Sequence, residues 1–232
     1  MNEIQLIKKE IVKRGVELKT GGFRPTNSEF ESWIGKVYLF KENEEIPKDN
    51  NGELMIPLFQ LYLENLPFIP EIFSNTKALT VFISSELPVD LTENGKNWII
   101  REYKKDDKLV LKELTNTESF LKAFPLKPEI IEEDYPVWDG GGLSSEQEDK
   151  ILDLENSGVI EDYYDITENK YGHKIGGYPS FCQPGVDFGE DFEFAIQIAS
   201  DEKANLNIVD SGTIFLAKNR NTEEWKYYCD FY

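Results

Sequence analysis

The 232-residue chain is short of positive charge: 25 Lys and Arg, only four of them Arg, stand against 44 Asp and Glu, a net of −19. A protein that binds nucleic acid electrostatically needs clustered cations to displace counterions from phosphate, so nucleic acid is excluded as a partner. Anionic membrane is disfavoured for the same reason. Cysteine is scarce: Cys182 and Cys229 cannot build a disulfide framework and suit a reducing compartment, so a cytoplasmic location is expected. The single histidine, His173, excludes any metal site or relay that needs two imidazoles, and no metal or cofactor is expected. Long apolar runs are missing too, since 54–63 is broken by Pro57 and Gln60 and is too short to span a bilayer. The N-terminus alternates charged and apolar residues without the continuous apolar stretch of a secretion signal. At 40% hydrophobic and 13% aromatic, enough apolar area remains for a sizeable core, which argues against disorder. At this length one large domain spanning 1–232, or two intimately joined halves, is expected, as a monomer.

The charge is unevenly distributed. Residues 1–116 hold 19 acids and 16 bases, whereas 117–232 hold 25 acids and 9 bases. Within the second half, 129–168 carries 14 acids against Lys150 alone. Block charge of this kind marks either a solvated connector or an interaction surface.

Ile4, Ile7 and Ile11 recur at helical spacing with Lys8, Lys9, Lys13 and Arg14 opposite, which predicts a first helix stopped by Gly15. Short β-type runs follow at 36–40, 58–63, 78–83, 98–103 and 109–114, separated by Pro, Gly, Asn and Asp clusters. Lys104 to Lys108 looks like a hairpin turn. Thr115 with Glu118 predicts a capping box opening a short helix through Ala123, stopped by Pro125 and Pro128. Ser144 with Gln147 predicts a second, running to Gly158 with Ile151, Leu152 and Leu154 on its apolar side. Strands return at 192–199, 213–217 and 225–231. This pattern predicts a mainly β (α+β) fold with antiparallel sheets.

The strand-rich regions repeat faintly. GGFRP from Gly21, the apolar run around Gln60 and the run 78–84 recur in order as GGYPS from Gly176, the run around Gln197 and the run 212–218. Two related β units, about 16–114 and 170–232, would then be joined by an acidic helical connector over about 115–169, with Gln60 and Gln197 in equivalent places.

At these residues the chain resembles the YwqG-like family, a bacterial domain of unknown function also called DUF1963. IGGYPSFCQ (175–183), FAIQIASDE (194–202) and IVDSGTIFLAK (208–218) carry the C-terminal likeness, and GGFRP, PLFQLYLENLP and LTVFIS carry the N-terminal one. The chain departs from the family pattern in an extra residue before Pro25, in Ile208 or Val209 where a tryptophan is usual, and in an Asp210 not preceded by Gly. The resemblance implies a mainly β roll of two related units and no secure activity. Gene neighbourhoods of some members, near bacterial toxin systems, imply immunity or partner-binding roles.

Little in the sequence points to catalysis. His173 reads as a general base oriented by Asp165 or Glu168, or as an exposed loop histidine; no serine or cysteine motif accompanies it, which favours the loop. Cys182 reads as a buried structural thiol. The run Gly140 to Gly142 before a helix could present N–H groups to an anion, yet no Lys-Ser/Thr follows and the flanking acids would repel phosphate, so a flexible hinge is expected. Carboxylate clusters at 161–165 and 187–193 fit no calcium-loop spacing and read as solvated turns. Gln60 and Gln197 interrupt apolar strands; each either bonds loop backbone or lines a pocket where the two units join, with Arg24 at its rim. Asp210 is a turn former first and a ligand second.

Two functions are expected from this pattern. The first is a non-catalytic binding module that docks a basic protein partner, a toxin in its sharpest form, through Glu132, Glu133, Asp134, Tyr135, Trp138, Asp162 and Tyr163. The second is a small-ligand-binding protein or enzyme that uses Arg24, Gln60, His173, Gln197 and Asp210 at the junction of the two units.

Overall fold

The computed structural model describes residues 2–95 and 97–231. It is mainly β, with 34% strand against 13% helix. The strands are β1 (Lys13–Thr20), β2 (Trp33–Ile34), β3 (Leu39–Phe40), β4 (Ile56–Tyr62), β5 (Thr76–Ile83), β6 (Thr92–Glu93) and β7 (Trp98–Lys104), then β8 (Val110–Leu111), β9 (Phe124–Asp134), β10 (Lys174–Gly176), β11 (Phe192–Ala199), β12 (Thr213–Asn219) and β13 (Trp225–Asp230). Helix α1 (Glu3–Ile11) buries Ile7 and Ile11, and α2 (Ser145–Asn156) starts at the expected capping box of Ser144 and Gln147.

Eleven strands form one antiparallel sheet in the order β6-β13-β12-β11-β10-β1-β9-β2-β4-β5-β7. It consists of two four-stranded meanders, β2-β4-β5-β7 and β10-β11-β12-β13, with β9 and β1 paired between them. β1 precedes the first meander in sequence but pairs with β10 of the second, while β9 precedes the second and pairs with β2 of the first. Each meander thus takes the other's leading strand.

Three expectations fail here for identifiable reasons. Gly15 does not stop a helix; it lies inside β1 opposite Gly176, where an added Cβ would come within 3.1 Å of the Ile175 carbonyl. The segment 115–123 is not helical, because Asn116 spends its side chain on the carbonyls of Leu54 and Met55 and on the Glu118 N–H, and so small a helix cannot offset its own nucleation. Residues 124–134 of the expected helical connector are instead strand β9, in the middle of the sheet. Around Pro125 the strand bonds through the groups that remain, the Pro125 carbonyl accepting from the Gly21 N–H and the Leu126 N–H donating to the Ser32 carbonyl, and β2 pairs with β9 only at Phe124 and Pro125. Residues 104–108 do turn, but β8 pairs with β3 rather than closing a hairpin with β7.

The sheet rolls so that its edges meet. β6 pairs with β13, Trp98 packs on Tyr227, and Phe73 stacks on Trp225. Between the meanders lies the main core, with Leu58, Leu61, Val81 and Trp98 from one and Ile196, Ile198, Leu216 and Tyr227 from the other. Smaller clusters cover the outer faces, Val37 and Phe40 on Phe82 and Phe181 and Phe188 on Phe215, and α1 packs with α2 through Ile7, Ile11, Ile151 and Leu154. Among the described residues no helix is long and apolar enough to cross a membrane.

Candidate functional site

Gln60 and Gln197 occupy the same register in the two meanders: Trp33 faces Gln60 and Ile34 faces Phe59, just as Lys174 faces Gln197 and Ile175 faces Ile196. The next residues, Gly35 and Gly176, share φ +72°. Gly35 therefore stands where Gly176 stands, and the Gly21-Gly22 pair lies elsewhere, at the end of β1. Both glutamines are fully buried and bond loop backbone. Gln60 Oε1 accepts from the N–H groups of Tyr38 and Leu39, at 2.9 and 3.0 Å, and its Nε2 donates to the Glu31 carbonyl. Gln197 Oε1 accepts from the Ser180 N–H and hydroxyl, and its Nε2 donates to the Gly172 carbonyl. Each pins a strap, 36–40 or 178–181, across its meander. Each amide thus makes three of its four possible hydrogen bonds to its strap and loop, and neither glutamine lines a cleft.

His173 is buried rather than exposed, and its partner is Asp201 rather than Asp165 or Glu168. Its Nδ1 accepts from the Ala199 N–H at 3.1 Å, which leaves Nε2 as the donor to Asp201 Oδ2 at 3.2 Å. With both nitrogens engaged, the ring cannot serve as a general base. Hydrogen bonds from His173, Thr20 and the Ala204 N–H hold the Asp201 carboxyl well below the usual carboxylate range, against the opposing effect of burial. Arg24 and Asp210 are exposed on separate loops and join neither glutamine.

The acidic stretch divides in two. On β9 two of the surface acids are matched: Glu132 pairs with Arg14, and the Lys127 and Lys19 ammonium groups hold Glu129 at about 2. Asp134 is not a surface residue at all. Its Oδ2 lies 3.0 Å from Lys174 Nζ with both side chains fully buried, and the carboxylate also accepts from the N–H groups of Lys170 and Tyr178. Burial lowers the Lys174 ammonium to about 8 despite that partner. Gly177, at φ +71°, crosses directly over this pair, and a Cβ there would sit 2.2 Å from Asp134 Oδ2.

Tyr135 and Tyr163 are buried as well, so they cannot anchor an interface. Glu133 is exposed and accepts from the Tyr135 hydroxyl, Trp138 is half-buried against the Tyr163 ring, and Asp162 is exposed and caps the turn at Tyr164. The remaining acidity lies in 139–168, ten acids against Lys150. The glycine run is no loose hinge: Gly142 is pressed between Pro136 and Tyr178, and Gly140 packs on Gly185. Burial and Asp230 push the Cys182 thiol up to about 11, which fits a structural thiol.

The principal cleft, about 670 Å³, opens at one end of the main core where the two meanders meet. Phe68, Pro70, Ile72 and Phe194 supply apolar walls, and the Gly176-Gly177 turn borders it. Five cations (Lys13, Arg14, Lys104, Lys218 and Arg220) and four acids (Glu71, Glu102, Glu193 and Glu223) line it, with Arg220 paired to Glu193 and Lys104 to Glu102 and Glu223, so it is close to charge-balanced within a chain of −19. Glu102 and Lys218 form its buried end at 2.9 Å. Burial works to raise Glu102, but hydrogen bonds from Thr76, Lys218 and Lys104 outweigh it and keep the carboxyl below its ordinary value. Lys13 lies 4.1 Å from the centre of the Tyr178 ring, where desolvation lowers its ammonium below the usual lysine value. Among the described residues, neither the sequence-predicted ligand residues nor any His or Cys line this cleft. The residues that do are up to 210 positions apart, and their one local signal is a charge at the end of an apolar strand, Glu102 on β7 and Lys218 on β12.

Residues 32–227 match the model of a family described as a domain of unknown function, DUF1963. No curated protein matches the chain.

Proposed function

The chain belongs to the DUF1963 family, and from that premise we propose a non-catalytic binding module whose junction cleft takes a small organic anion. The observation that carries this is the convergence of Lys13, Arg14 and Arg220 beside apolar walls in a ligand-sized cleft of a strongly acidic protein. Such a site favours a carboxylate or phosphate joined to an apolar body, since guanidinium and ammonium groups bind the charged end and Phe68 and Phe194 cover the rest. The Thr76 hydroxyl and the Lys218 and Lys104 ammonium groups all bond Glu102 and hold it ionised, so this carboxylate is already engaged as a counter-ion, which supports binding over catalysis. Thermal-shift titrations with orthophosphate, citrate and benzoate test the reading. At least one should raise the melting temperature saturably, less so in high salt and not in Lys13→Ala/Arg220→Ala. No stabilisation by any of them, or equal stabilisation of the double variant, overturns it.

A second reading, docking of a basic protein such as a toxin, rests on a different surface. Leu152, Val159 and Tyr164, 41, 58 and 55% exposed, stand among the acids of 139–168. Apolar side chains ringed by one sign of charge suit a steered interface. A basic protein captured at low salt and released at high salt supports this reading; capture that is insensitive to salt counts against it.

A further inference from the structure

A second cavity, about 150 Å³, lies where β11, β12 and β13 meet the loop around Tyr171 and the strap at 180–182. Tyr171, Ser180, Cys182, Ser211, Thr213 and Asp230 line it, and among the described residues no Lys, Arg or His does. Asp230 is 2% exposed. Its Oδ2 accepts from the N–H groups of Cys182 and Gln183, at 2.7 and 3.3 Å. Its Oδ1 is buried with no hydrogen-bond partner among the described residues. A sealed carboxylate oxygen without a donor is costly, so the cavity that it lines calls for a group bringing positive charge and N–H donors.

The chemistry of the lining narrows that group. A divalent cation needs several oxygen ligands, and the described residues hold no cluster of three His, Cys, Asp or Glu. Cys182 stays a thiol at neutral pH and forms an uncharged wall. Ser180 and Thr213 carry hydroxyl oxygens with lone pairs, and Thr213 is the direct cross-strand neighbour of Asp230. An ammonium presents three donors, which matches one carboxylate oxygen and two hydroxyls, whereas a planar guanidinium needs a wider fork of acceptors.

We propose that this cavity binds a primary ammonium group, with Asp230 Oδ1 as counter-ion and the Ser180 and Thr213 hydroxyls as further acceptors. Tyr171, largely exposed at the mouth, covers the alkyl stem. The ammonium comes from a free alkylamine or from a lysine side chain of another polypeptide.

The test is NMR titration of the full chain with methylammonium and with Nα-acetyl-lysine N-methylamide, tetramethylammonium serving as a donor-free control. Both amines should shift the amides of Thr213 and Asp230 saturably, and Asp230→Asn should weaken binding about tenfold or more. Tighter binding of the lysine amide assigns a polypeptide source, and tighter binding of methylammonium assigns a free amine. Thr213→Lys, which places an ammonium opposite Asp230, should raise the melting temperature and abolish both titrations. It also decides the matter if Asp230→Asn fails to fold. No saturable shift, equal binding of tetramethylammonium, or undiminished binding by the Thr213→Lys variant overturns the proposal and leaves a cavity holding ordered water only.

Discussion

Asp134 and Lys174 meet at 3.0 Å beneath the Gly176-Gly177 turn, joining the last residue of β9 to the first residue of β10 with neither side chain reaching solvent. A carboxylate that composition places on an acidic surface is in fact an internal counter-ion where the two meanders join. Taking two charges out of water is costly, so such a pair holds only while both members and their hydrogen bonds are present.

Removing one member should therefore cost more than an ordinary core substitution. Asp134→Ala should destabilise by about 3 to 5 kcal/mol by stranding the Lys174 ammonium. Gly177→Ala, which forces a Cβ onto Asp134 at a left-handed backbone position, should cost about 2 to 5 kcal/mol. Urea midpoints at unchanged slope measure both. A loss below about 1 kcal/mol for each would show that the pair relaxes without penalty.

The glutamines should act as strap anchors. Gln197→Leu leaves the Ser180 N–H and the Gly172 carbonyl without their partner, and Gln60→Leu does the same to Tyr38, Leu39 and Glu31. Each should cost about 1 to 3 kcal/mol per stranded group. Hydrogen exchange should quicken at 178–181 in the first variant and at 36–40 in the second. Uniform quickening across the sheet would argue against a local anchoring role.

Asp201 sets an acid dependence with a definite sign. Its folded pKa lies below the unfolded value near 4, so its contribution is complete above about pH 4 and is lost as pH falls through the depressed folded value. Asp201→Asn should be less stable at neutral pH yet lose less on acidification between about pH 4 and 2. Parallel stability–pH curves for the two proteins would refute the assignment.

Neighbouring tyrosines should behave oppositely. Tyr163, buried with its hydroxyl on the Pro136 carbonyl, should lose about 3 kcal/mol or more on Tyr163→Ala. Tyr164→Ala, which gives up only the bond its hydroxyl accepts from the Trp138 N–H and an edge contact with Tyr163, should cost about 1 kcal/mol, and Leu152→Asp about 0.5 kcal/mol. If the acidic face docks a basic partner, the latter two variants should still reduce its capture.

Some of this molecule could be read along the chain because local rules produce it. α2 follows its capping box and strands such as β11 follow β-type runs bounded by turn residues, so their positions emerge within a residue or two, and the apolar spacing of α1 places the helix but not its end, which comes at Ile11 rather than before Gly15. The need of Gln60 and Gln197 for loop backbone follows from an amide set in an apolar strand. β1 and β9 were not legible, because Gly15, Pro125 and Pro128 are punctuation by local rules and become acceptable only once a neighbouring backbone approaches or bonds are rerouted.

The sequence by itself determined a mainly β domain, a net charge of −19 and the stretch in which that charge is concentrated. Only the tertiary structure decided which of those charges face water. Charge is a property of a residue, but its effect depends on what lies within a few ångströms. Pairing across strands far apart in sequence turns Asp134 inward, neutralises Glu129 and Glu132, and gathers Lys13, Arg14, Lys218 and Arg220 at one cleft.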